Sequence, residues 1–394
     1  MGALDFLVAE LARLRAAGTL REPDIGPLVP SEYLNASSND YLGLAHRNVS
    51  RETFPDTSSE SGAGASPLIY GLRRAHLDLE RELADWVNTE HSILFSSGYA
   101  ANLGTLSALA GPDDVIVSDA LNHASIIDGC RLSRARVVVV PHCDLSAVAT
   151  ELRAARSARR RWVVTESYFS MDADGADLRE LRKLCDSEDA GLYVDEAHAL
   201  GVLGPDGAGL CRQSGIKADV LVGTLGKAVG VQGAFVAGSS SLRTWLWNRA
   251  RSFVFSTGTS PLLAQLIQEQ VRRARSANPE REWIARAAIT LRTTLLEHGV
   301  QVPSRSYGHI IPIIVGDNAV ALDVARQLRD AGVLVQAIRP PTVPVGTARL
   351  RVTVAAHLTE SDMRYLAVQL LTALRSARSL DARAAQELPV PPEP

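Results

Sequence analysis

Residues 162–198 read WVVTESYFSMDADGADLRELRKLCDSEDAGLYVDEAH, and they decide the fold. The run 162–165 is short, apolar and β-branched, 177–189 reads as a helical segment, and 192–195 is a second short apolar run. Strand–helix–strand alternation with Val-rich runs predicts a mainly parallel sheet covered on both faces, an α/β class. Each run ends on a carboxylate, Glu166 after the first and Asp195 at the second.

The same alternation extends outward. Apolar runs at 92–95, 115–118, 136–140, 219–223 and 234–237 predict further strands, with helices at 76–88 and 144–158. Beyond 245 the pattern turns helical, with a long helix over 261–277. A second, smaller α/β unit follows: strands at 309–316, 333–338 and 349–355, and helices at 319–331 and 361–375. Upstream, 5–17 reads as an amphipathic helix, Pro23, Pro27 and Pro30 break the chain into extended structure, and the polar stretch 49–66 reads as a loop. The expected domains are a leading segment over 1–55, a large lobe over 56–285, a small lobe over 286–380 and a disordered tail over 381–394.

Composition removes several function classes. The 394 residues carry a net charge of −3, which offers no basic field for nucleic acid. No apolar run approaches the ~20 residues of a membrane span, and the first fifteen residues lack the uniform apolar core of a signal peptide. Four cysteines (Cys130, Cys143, Cys185, Cys211) are widely spaced with no CxxC pair, which argues against a disulfide framework or a metal site and for buried packing in a cytoplasmic protein. Only Lys183, Lys217 and Lys227 are lysines among 41 basic residues, so chemistry that needs a primary amine has three candidates.

What stands at the strand ends is more telling. Glu166 leads to Ser170, Asp195 is followed by His198, and the run 219–223 ends at Thr224 with Lys227 three residues on. In open α/β sheets ligands bind at the carboxyl ends of the strands. Lys227 lies in VGTLGKAVGVQGA, a lone amine among small and apolar residues, where desolvation favours attack on an aldehyde. Taken alone it reads better as a surface lysine, and the polar residues at the neighbouring strand ends reverse that order. Asp195 on a buried strand end needs a cationic partner, and a protonated pyridine nitrogen is one. His198 suits that ring's phenolic oxygen. Together these are the parts of a pyridoxal 5'-phosphate site, although D-x-x-H alone is weak. SSGYAANLG (96–104) is a turn opening a helix, suited to a phosphate or simply to a helix cap. In LNHAS (121–125), His123 suits stacking on the ring, or a structural role.

The ordered set SSNDYLGL (37–44), SGYAAN (97–102), LNHAS, TESYFSMDAD (165–174), VDEAHALGVLGPDGAG (194–209) and VGTLGKAVGVQGA (222–234) resembles the α-oxoamine synthases, fold-type I pyridoxal phosphate-dependent transferases, from about residue 5 to 375. The resemblance implies that Lys227 binds the cofactor's aldehyde, that His123 stacks on the ring, and that Asp195 and His198 hold its nitrogen and phenolic oxygen. It also implies that Ser170, Thr224 and the backbone at Gly98 and Tyr99 flank it. Arg351 matches the clamp on an amino-acid carboxylate, with Asn39 assisting. Arg21 and Thr342 match substrate-contacting positions, and His123 also steadies a developing oxyanion. AIRPPTVPVGTARLRVTVAAH (337–357), IVGDN (314–318) and LNHASIIDG (121–129) most resemble the biotin-pathway branch. That branch implies condensation of L-alanine with pimeloyl-CoA or pimeloyl-acyl carrier protein in a homodimer. The other readings are 2-amino-3-ketobutyrate CoA ligase, or a catalytically silent scaffold subunit. The pattern departs at GAGASPLIYG (62–71), where Pro67 replaces a basic residue and Tyr70 a small one, which puts the acyl substrate in doubt. Glu196 stands for a more usual aspartate, an exchange expected to be harmless.

Overall fold

The computed structural model describes residues 4–21, 33–45 and 60–386. The expected proline breaks at 23, 27 and 30, and most of the loop 49–66, lie outside the described residues.

After a short strand β1 (Leu34–Asn35), seven strands make one sheet: β2 (His91–Phe95), β3 (Val115–Asp119), β4 (Arg136–Val140), β5 (Arg161–Glu166), β6 (Gly191–Asp195), β7 (Val220–Thr224) and β8 (Ala234–Gly238). Their order across the sheet is β2-β8-β7-β6-β5-β3-β4. Every pair from β7 to β4 is parallel, whereas β8 runs antiparallel to both β7 and β2. All five residues of β3 and of β8 are buried, and four of five in β6, so these strands read as continuous apolar runs rather than alternations. Strand β4 lies at the sheet edge, and there Val139 is exposed.

The covering helices start where the sequence supplies caps. Asp177 accepts hydrogen bonds from the backbone N–H of Arg179 and Glu180, and opens the helix Leu178–Ser187. That helix turns Leu178, Leu181 and Cys185 inward. Ser97 does the same for Gly98–Leu109 through Ala100, and Asp144 for Leu145–Ala154. The core beneath them gathers Phe95, Ile116, Val164, Tyr193, Val222, Val236 and Phe253.

The chain forms two compact units. The larger holds Asn39–Ser170 and Asp174–Trp283; the smaller holds Met1–Ser38, Met171–Ala173 and Ile284–Pro394. The sequence sets 1–55 apart as one leading segment, but that segment divides. Strand β1 pairs in parallel with β10 (Val333–Leu334), joining the N-terminal residues to the smaller unit. The smaller unit's own sheet is antiparallel, β11 (Gln336–Ile338), β12 (Ala348–Thr353) and β9 (Ile310–Gly316) in the order β11-β12-β9. The run 333–338, expected as one strand, is thus two strands that pair in different sheets. The last helix, expected to end near 375, runs Glu360–Gln386 and takes in the start of the expected tail; residues 387–394 lie outside the described residues. No helix among the described residues is long and apolar enough to cross a membrane.

Candidate functional site

Strands β5, β6 and β7 are neighbours in the sheet, so Glu166, Asp195 and Thr224 end side by side, with Glu166 in register with Asp195. Lys227 follows β7 by three residues and is half-buried. Its charge acts on both His123 and Glu166, as does that of Asp195, which puts these four groups in one electrostatic neighbourhood.

Each acid is fixed by donors. Asp195 accepts from the backbone N–H of Ala197 at 2.8 Å and from Asn102 Nδ2 at 2.7 Å. Glu166 accepts from the backbone N–H of His123 at 2.7 Å, which ties the His123 loop to the end of β5. Complete burial, and then the charge of Asp195, push the Glu166 carboxyl up to about 8; the His123 N–H and Lys227 act the other way. At His123, desolvation is the largest effect and lowers the pKa, Asp195 opposes it, and Lys227 adds to the lowering.

The helix Gly98–Leu109 points its N-terminus at this place. A Cβ built on Gly98 would touch the Thr224 side chain at 3.7 Å, so the helix start and the end of β7 are in contact range. Free N–H groups and a hydroxyl together suit a phosphate. Tyr99 sets its ring edge-on to His123, with centroids 6.5 Å apart, and donates its hydroxyl to Asp128. His198 is buried and shares a 2.7 Å hydrogen bond with Tyr41, whose hydroxyl donates to Asn39 at 3.1 Å. Asn39 therefore sits beside His198 in the larger unit. Ser170 closes the segment that leaves β5, where the N–H of Ser167 donates to the Asp195 carbonyl at 2.9 Å.

The remaining residues singled out by the sequence belong to the smaller unit. Arg351, on β12, is buried, and its Nη1 lies 3.4 Å from the Thr353 hydroxyl. Arg21 donates to the Thr342 hydroxyl at 2.8 Å, which joins two positions 321 residues apart.

Several residues of the site escaped the sequence reading. Asn102 is buried, donates to both Asp195 and Ser125 and accepts from the Tyr193 hydroxyl; Ser125 in turn meets the His123 ring. The available signal was an amide standing among small apolar residues within a helix (SGYAANLGT), where asparagine is disfavoured unless it has a partner. Tyr41 gave no signal.

Glu196 is better placed than the word harmless allows. Fully buried, it accepts from Ser167 Oγ at 2.6 Å and from the backbone N–H of Leu210 and Cys211, at the start of the helix Leu210–Ser214. A Cβ at residue 209 would fall 2.7 Å from its carboxylate, so the longer acid fits because Gly209 is there, at φ +90°. The atypical stretch forms a single wide turn, Pro67–Gly71, that exposes Leu68, Ile69 and Tyr70, with Arg73 stacked over the Tyr70 ring.

Of the cysteines, Cys130, Cys185 and Cys211 are buried as expected; Cys143 is only half-buried, at φ +55°, because it caps a turn against Asp119. Asp119, His142 and Cys143 are close enough to hold a metal. The ring of His142, however, is bonded on both sides, Nδ1 to Asp119 and Nε2 to Asp174, each at 2.9 Å. Burial opposes its charge, but the two carboxylates outweigh that and push it up to about 12. An imidazolium has no lone pair for a metal.

The donor set fits pyridoxal phosphate: an amine for the aldehyde, a fixed buried carboxylate for the ring nitrogen, a histidine on a second ring edge, and a helix start with a hydroxyl for the phosphate. Comparison with known proteins agrees. The family model described as aminotransferase class I and II matches residues 31–370. An 8-amino-7-oxononanoate synthase of Anaeromyxobacter dehalogenans is 46% identical over 367 residues, 90% of this chain and 92% of that one. Among solved structures, a lysine-to-alanine variant of serine palmitoyltransferase from S. paucimobilis with a bound pyridoxal phosphate–myriocin aldimine superposes with a TM-score of 0.87 at 27% identity, covering 95% of this chain and 98% of that one. An 8-amino-7-oxononanoate synthase from Francisella tularensis superposes at 0.75 with 25% identity, covering 89% and 99%.

Proposed function

The chain belongs to the 8-amino-7-oxononanoate synthases, within the class I and II aminotransferase family, and from that premise we propose how its own residues carry the reaction. The reaction is the decarboxylative condensation of L-alanine with a pimeloyl thioester to 8-amino-7-oxononanoate, CO2 and free carrier, a step of biotin synthesis. Pyridoxal phosphate, when bound, supplies the electron sink for the carbon that loses first a proton and later CO2.

Lys227 Nζ would hold the cofactor through its aldehyde until substrate binds. The freed amine then removes the α-proton, a general-base role that contributes ~10²–10⁴-fold. Asp195 keeps the pyridine nitrogen protonated, and its two donors hold it in place for that. His198 takes the phenolic oxygen, with Tyr41 on its Nδ1. Thr224 and the helix start at Gly98 and Tyr99 receive the phosphate, and Ser170 flanks the ring. His123 stacks on the ring and steadies negative charge on the thioester oxygen. Arg351 grips the alanine carboxylate through its planar fork, and Asn39 assists it. Arg21 and Thr342 contact the substrate. We place the enzyme in the cytoplasm as a homodimer.

The observation that supports these roles best is the meeting of Glu166, Asp195 and Thr224 on three adjacent parallel strands with Lys227 just beyond. The test is thiol release by purified protein given alanine, glycine or serine with pimeloyl or acetyl thioesters. Release with alanine and pimeloyl thioester is expected, and parallel CoA and acyl carrier protein arms assign the carrier. Release only with glycine and acetyl-CoA would move the chain to a 2-amino-3-ketobutyrate ligase activity; no release at all would favour a silent scaffold.

A further inference from the structure

The donors and acceptors between Tyr193, Asn102, Asp195, Ser125 and His123 allow only one direction. Asn102 Nδ2 donates to Asp195 Oδ2 at 2.7 Å, which fixes the amide's nitrogen toward the carboxyl. The Tyr193 hydroxyl, 2.7 Å from Asn102 Oδ1, donates to the other end of the same amide and holds it that way round. The second N–H of Nδ2 goes to Ser125 Oγ at 2.9 Å. Ser125 Oγ thus accepts from Asn102 and has its single hydrogen to give, and His123 Nδ1 lies 2.8 Å away. The backbone N–H of Ser125 also donates to Nδ1, at 3.2 Å, which requires a lone pair there. A neutral imidazole whose Nδ1 accepts twice carries its proton on Nε2. Asn102, Ser125, Tyr193 and Asp195 are all buried, so water does not compete for the bonds among them; His123 is exposed and is held from its Nδ1 side by Ser125.

We propose that Asn102 and Ser125 are positioning residues that lock His123 in the Nε2–H form and tie that form to the orientation of Asp195. The locked ring presents one hydrogen-bond donor, suited to an oxygen that gains negative charge. That last step rests on the reading of the reaction given above; the lock itself does not.

The experiment is long-range proton–nitrogen NMR on holoenzyme labelled with ¹⁵N-histidine, with the His123 signals assigned from their loss in His123→Gln. A protonated-type Nε2 and an unprotonated-type Nδ1 are expected near neutral pH. Ser125→Ala removes one of the two donors to Nδ1, and the Nδ1–H fraction should rise ~3–10-fold, the ratio that one net hydrogen bond supports. Tyr193→Phe, which loosens the amide from its far end, should shift it in the same direction by less. A proton on Nδ1 in the unaltered protein, or unchanged spectra in both variants, overturns the proposal. The kinetic arm separates the two claims. Ser125→Ala should lower kcat with KM for alanine held. The predicted spectrum with an unchanged kcat would leave the tautomer standing and refute its part in turnover.

Discussion

Among the histidines of the larger unit with polar partners on the ring, His123 and His142 differ in charge, one neutral and one cationic. His123 meets donors, the hydroxyl and N–H of Ser125, and its pKa is lowered, by desolvation first. His142 meets acceptors, Asp119 and Asp174, and is pushed up to about 12 although burial works against its charge. The smaller unit supplies a third case: His309, fully buried near Arg351 and Arg292, falls to about 3, chiefly through burial. Burial alone favours the neutral ring in all three; only at His142 do neighbouring carboxylates outweigh it and keep the charge. The His142 cation serves architecture, bracing the end of β3 against the Asp174 segment. The neutral His123 is left to do chemistry.

The comparison can be tested from its largest consequence down. Lys227→Met should lower turnover by ~10³-fold or more in the thiol-release assay, since it removes the proposed base. It should also raise the His123 pKa, because the charge of Lys227 is one of the groups lowering it. His142→Phe leaves two carboxylates facing each other without a cation; urea unfolding should report a loss of about 3 kcal/mol. Over the same assay His123→Phe, which removes the acceptor that caps the helix at Ser125, should cost about 1 kcal/mol, less than His142→Phe. Equal losses in the two variants would erase the distinction.

Two pH windows sharpen it further. The folded pKa of His142 is raised, so its contribution to stability is complete below about pH 6.5 and is lost as pH rises toward 12. His142→Phe should flatten the alkaline slope of unfolding free energy. The folded pKa of Glu166 is raised as well, and for an acid this means that ionisation opposes folding. Stability should therefore decline between about pH 4.5 and 8, and Glu166→Gln, which can still accept from the His123 N–H, should remove that decline. Fluorescence-monitored unfolding across pH would detect it.

The strand runs and the polar residues at their ends were legible from the amino acids, because a parallel sheet buried on both faces prints continuous apolar runs whose ends are abrupt. The adjacency of β5, β6 and β7 followed from the alternation. The antiparallel course of β8 did not, since AFVAG has the same composition whichever way it runs. The last helix was ended too early at 375: the continuation RSARSLDARAAQ lacks an apolar stripe yet is rich in alanine and arginine, which favour helix without needing one. Lys227, Asp195, His198 and His123 each stood out as an ionisable group at a strand end or turn. Asn102 and Tyr193 did not, because their value lies in partners 23 to 93 residues away, and no local pattern encodes those. The need for Gly209 beneath Glu196 was hidden in the same way.

The central claim, that one of three lysines holds the cofactor, is open to a direct measurement. Protein loaded with pyridoxal phosphate, reduced with borohydride and digested should carry the cofactor on the peptide containing Lys227 alone, and Lys227→Met should carry none. A label on Lys183 or Lys217, or retention of the label in Lys227→Met, would contradict the account.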